Sequence, residues 1–148
     1  MKTILVALTI AFGIHSGEVQ GQTLDQIARI LDATQEVAST NLALCHSRLE
    51  SEIALKAFLE ASHPGDERRS DVDKDKAACA KMADDKVRKG LLEIRPIIGN
   101  RPAVLATLKE WYSRFDATLH RIDGIAPIDA DIKEMERYIS KAKLELAF

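Results

Sequence analysis

Apolar side chains recur along this chain at the three-and-four spacing of amphipathic helices, and no run alternates as a half-buried strand would. In the first stretch the stripe is Leu24, Ile27, Leu31, Ala38, Leu42, Cys45, Leu49 and Ile53. A second comprises Val72, Cys79, Met82, Val87, Leu91 and Ile94, and a third Leu105, Leu108, Trp111/Tyr112, Phe115, Leu119 and Ile122. The fourth is Ile128, Ile132, Met135, Ile139, Ala142 and Leu146.

Helix breakers separate these stretches cleanly. After residue 21, every proline and every glycine except Gly90 falls at Pro64-Gly65, at Pro96 through Gly99 to Pro102, or at Gly124 to Pro127. Three interruptions predict four helices, over about 24–60, 64–96, 102–123 and 128–147. Thr23 and Gln26 have capping-box spacing, in which each side chain satisfies an orphan backbone donor. Asn100 is a candidate cap for the third helix, and Gly124 supplies its stop. Acids crowd the beginning of the second segment and bases its end, which complements a helix dipole.

Two cysteines, Cys45 and Cys79, fall in the first and second segments. An even pair in an exported chain reads as a disulfide. Closing a loop of about 35 residues adds about 3–4 kcal/mol of stability on the chain-entropy account. A bridge requires Cα atoms within about 7 Å. That favours a tight hairpin with Ser62 as cap of the second helix and Pro64 in its first turn. A loose loop over residues 62–70 would put the cysteines about 12 Å out of step.

The first helix spans about 55 Å, longer than the rest. Segments 24–45, 79–98 and the third and fourth are similar in length, which suits an up-down bundle. The expected fold is thus all-α, an antiparallel four-helix bundle with a long N-terminal helical hairpin stapled by one disulfide. Residues 46–78 then project as a two-helix arm carrying Leu49, Ile53, Leu55, Phe58 and Leu59. Such an arm cannot bury all of these by itself. Either the third and fourth segments reach higher, or this end meets something.

Residues 1–21 differ from the remainder of the chain: Lys2, an apolar run from Ile4 to Ile14, then small and polar residues. That is the order of a secretory signal peptide. The run is too short for the ~20 residues that span a bilayer. Val19 and Gly21 meet the small-residue requirement for cleavage, leaving Gln22 as the new terminus of a single domain, 22–148. The expected location is outside the cytoplasm, periplasmic or extracellular, with no integral membrane segment after cleavage.

Lys2 and Glu18 leave together with the signal, so the formal charge stays at −2. Nucleic-acid binding rests on neutralising phosphates, and this balance argues against it.

Candidate chemistry is thin. Asp71-Val72-Asp73-Lys74-Asp75 opens like a calcium-binding EF-hand loop, but Lys76 and Met82 stand where Gly and Glu are required. Ser113, Asp116, His120 and Asp123 share one helical face, as do His46 and Glu50. A nucleophilic triad needs members converging from different directions, and these do not. No catalytic residue, no metal site and no cofactor is assigned.

The leading functional reading is a non-enzymatic protein that acts by docking another protein or a second copy of itself, in a binding, inhibitor or immunity, or envelope-accessory role. Leu49, Ile53, Phe58 and Leu59 are its contact residues. The competing reading is a carrier of a small apolar ligand near Trp111, Tyr112 and Phe115. A noncovalent haem held by His120 with Met82 or Met135 is a variant of it.

Overall fold

The computed structural model describes residues 16–63 and 72–147, with side chains described from Leu24 onward. Four helices occur in order: α1 (Ser16–Ser62), α2 (Val72–Ile98), α3 (Pro102–Arg121) and α4 (Asp129–Leu146). No strand occurs among the described residues. α1 packs chiefly on α2 and α3 chiefly on α4; α1–α4 and α2–α3 contacts close the ring. The result is an all-α bundle of two helical hairpins, with Cys45 and Cys79 joined by a disulfide at a Cα separation of 5.7 Å.

Each helix buries one stripe, and the stripes meet in a single core. From α1 come Ile27, Leu31, Ala38, Leu42, Cys45 and Leu49; from α4 come Met135, Ile139, Ala142 and Leu146. α3 contributes Val104, Leu108, Trp111, Phe115 and Leu119. Two expected core residues lie elsewhere. Met82 is 42% exposed, and Ala83 takes its place. Along this side of α2, Cys79, Ala83 and Gly90 are all small, and a Cβ on Gly90 would stand 2.7 Å from the Thr34 hydroxyl. Helices this close leave no room for a methionine between them. Likewise Leu105 is surface-facing and Val104 is buried, one residue earlier in the turn.

The helix ends also depart from the sequence-based expectation. α1 runs through Thr23, so that residue lies within the helix, and the expected signal segment lies outside the described residues up to residue 15. Ser62 is the last residue of α1 rather than the cap of α2. The rest of the expected reversal, residues 64–71, lies outside the described residues. α1 therefore continues about 25 Å past Cys45, whereas described α2 begins only about 10 Å before Cys79. A disulfide fixes the crossing point and does not require arms of equal length.

α2 passes through Pro96 to Ile98 and stops at Gly99, whose φ is 59°. Proline in the last turn forfeits only one helical bond, to the carbonyl of Leu92, a residue on the exposed side of α2. α3 begins with Arg101 in the cap position and Pro102 first in the helix, so Asn100 does not cap it.

Candidate protein-docking surface

The expected arm is shorter than the sequence suggests. The turn between α3 and α4 climbs along α1 to Leu49 and Glu50. Gly124, with φ of 75°, lies against that backbone, and the His46 ring donates from Nε2 to the Ala126 carbonyl at 3.0 Å. The Asp123 carboxylate accepts from the backbone N–H groups of Ala126 and Ile125 at 3.0 and 2.9 Å, which shapes the turn. These bonds favour its charged form and hold its pKa below the usual carboxylate value. Leu49 is consequently 1% exposed. It belongs to the core and is removed from the docking residues.

Beyond this point the character of α1 changes. Ile53 and Leu59 are half-buried, while Leu55 and Phe58 are 48% and 63% exposed. Described α2 starts level with about residue 52, so no described helix lies beside the last turns of α1. Arg48 and Asp75, paired at 2.5 Å, mark the top of the stapled region. Above it stand Ile53, Leu55, Phe58 and Leu59, with Lys56 between them and Glu52 and Glu60 at either end.

The aromatic cluster is committed to the bundle. Trp111 and Phe115 are fully buried and stacked, ring centroids 6.1 Å apart. The Trp111 indole N–H donates to Gln35 Oε1 at 2.7 Å, joining α3 to α1 across the core. Tyr112 is half-buried, donates to Asp84 Oδ1 at 2.5 Å and lies beneath the Arg88 guanidinium. Burial, then the hydrogen bond and charge of Asp84, push its pKa up to about 12. All three side chains thus have structural partners within the bundle.

The residues singled out for haem do not converge, because Met135 is enclosed in the core while Met82 and His120 stand at the surface. His120 Nδ1 lies 2.8 Å from the Asp116 carbonyl of its own helix, and Ser113 is exposed. Among the described residues, no group of three His, Cys, Asp or Glu side chains is placed to hold a metal ion, and no helix is long and apolar enough to cross a membrane.

One site that sequence reasoning missed is an open groove of about 380 Å³ between α1 and α2. Ile30, Ala33 and Val37 line its α1 side, Gly90 its α2 side, and Arg29, Lys86 and Lys89 supply positive charge. The unplaced Gly90 was the available signal, since an isolated helical glycine often marks a close approach.

Comparison with family models, curated proteins and solved structures finds no match to this chain.

Proposed function

We propose that this is an exported, non-enzymatic helical protein that acts by docking a protein partner through the upper end of α1. The observation that carries the reading is the exposure of Leu55 and Phe58 above the stapled core, beside half-buried Ile53 and Leu59. Large aromatic and aliphatic side chains held on a rigid helix lose little conformational freedom on binding, so they make effective anchors. The disulfide fits an oxidising compartment, and the amino-terminal charge and hydropathy pattern fits export.

The test uses the oxidised chain and two charge substitutions, Leu55→Glu and Phe58→Glu, at positions exposed enough to leave the fold intact. Partners are recovered by crosslinking in the native compartment. A defined partner that is retained by the wild type, and by a Lys133→Glu control, but lost by both variants supports the reading. Equal recovery by all four chains, or a product formed from an added metabolite with no partner present, overturns it.

A further inference from the structure

α1 carries a second stripe, on the flank beside its core-facing side, with Ile30 partly packed on the core. Counting in sevens from Ile30 gives Val37, Leu44, Ser51 and Phe58. Three residues after each of these five stand Ala33, Thr40, Ser47, Ala54 and Ala61. None of the ten is charged, in a chain that is 30% charged. Leu44 is 57% exposed, and Val37 and Phe58 are also at the surface. A hydrophobic repeat of seven residues is the seam of a two-stranded coiled coil. α1 has 47 residues against 27, 20 and 18 in the other described helices, and these leave Val37, Leu44 and Phe58 of α1 exposed.

We infer that two copies of this chain pair antiparallel along this seam, their two-fold axis passing α1 between Cys45 and His46. This deepens the docking reading above, on which it rests, by naming the partner as a second copy. In that register every layer but the Thr40–Ser51 one sets a larger side chain against a smaller one. Leu44 faces Ser47 of the second copy, Val37 faces Ala54, Ile30 faces Ala61 and Phe58 faces Ala33. A parallel pair would instead set Ile30, Val37, Leu44 and Phe58 each against itself and the small residues likewise, which leaves gaps.

Charge disfavours the two neighbouring registers. It puts Glu36 opposite Ala57 and Glu50 opposite Ala43 of the second copy. A shift of one heptad would bring Glu36 against Glu50 in one direction and Glu50 against Glu50 in the other, and like charges across a seam are unfavourable. A shift of two heptads toward the amino terminus sets Phe58 opposite residue 19, ahead of the stripe and of the expected new terminus at Gln22. The register also carries residues 50–60 of one copy onto residues 31–41 of the other. There Phe58 meets the α1–α2 groove, whose rim bears Arg29, Lys86 and Lys89 against Glu93. The seam is about 48 Å long, and at about 10 Å wide it covers about 500 Å² per copy, reaching the ~1,000 Å² total of a specific interface.

Sedimentation equilibrium of the oxidised full chain tests this. The expected mass is that of two chains, falling to one in Leu44→Glu and in Val37→Glu, with helical circular dichroism unchanged. A single-chain mass at every concentration into the millimolar range overturns the pairing, as does a dimer indifferent to both substitutions. Register is read by mixing Phe58→Cys with Ala33→Cys: the mixture should link between chains at least tenfold faster than either alone, and equal rates overturn the antiparallel arrangement. If the wild type is a single chain, yet Phe58→Glu abolishes crosslinking to another protein, the seam fails while the wider docking reading survives.

Discussion

Gly124 lies so close to α1 that a β-carbon on it would stand 2.5 Å from the backbone nitrogen of Glu50 and 2.7 Å from the carbonyl carbon of Leu49. Those are backbone atoms and cannot swing aside. The φ of 75° adds a second penalty for any L side chain. Gly124→Ala is therefore expected to destabilise the fold by about 2–4 kcal/mol, more than a surface glycine would. Urea unfolding followed by circular dichroism measures it, and a shift below about half a kcal/mol, the range of an ordinary surface substitution, would refute the close approach.

The same contact separates two leucine-rich turns of one helix. Leu49→Ala removes a fully enclosed side chain and should cost about 2–5 kcal/mol. Phe58→Ala removes a larger but exposed one and should cost under ~0.5 kcal/mol in the isolated chain. Comparable losses in the two unfolding curves would contradict the boundary drawn between core and docking surface.

The Cys45–Cys79 bridge closes a sequence separation of 34 residues. Reduction, or the double substitution to serine, should lower stability by about 3–4 kcal/mol, because the unfolded chain regains the freedom the bridge removes. Paired unfolding curves with and without reductant give the difference directly.

Trp111 is the sole tryptophan, and its indole N–H is spent on Gln35 in the core. Native fluorescence should be blue-shifted and resist an aqueous quencher. Trp111→Phe should cost about 1–3 kcal/mol, since it opens a void and leaves the buried Gln35 oxygen without its donor. Emission at the wavelength of free tryptophan would contradict this core.

Tyr112 couples stability to alkaline pH. Its pKa rises from 10.0 unfolded to about 12 folded, so the folded state favours the protonated phenol. Its contribution is complete below pH 10 and is lost as pH rises through about 12. Wild type should lose stability across that window, and Tyr112→Phe should lose less. Parallel slopes for the two proteins would show that the Asp84 contact carries no such linkage.

What the amino-acid order determined by itself is the set of local features. Apolar residues at helical spacing defined the buried face of α1 and of α4, because each stripe depends only on its own helix. Pro102 and Gly124 marked ends because their backbone limits apply whatever surrounds them. An even cysteine pair at Cys45 and Cys79 announced the staple.

Tertiary structure decided everything that depends on distance between helices. Spacing from Cys79 permits either Met82 or Ala83 to face inward, and only the close approach of α1 and α2, seen again where Gly90 meets Thr34, selects the alanine. Spacing places Leu49 and Phe58 on the same helix with similar apolar character. That one is core and the other surface comes from how far the α3–α4 turn climbs, which His46 and Gly124 fix through contacts some 75–80 residues away in the chain. Burial is a property of neighbours, and a single helix does not encode how high its neighbours reach.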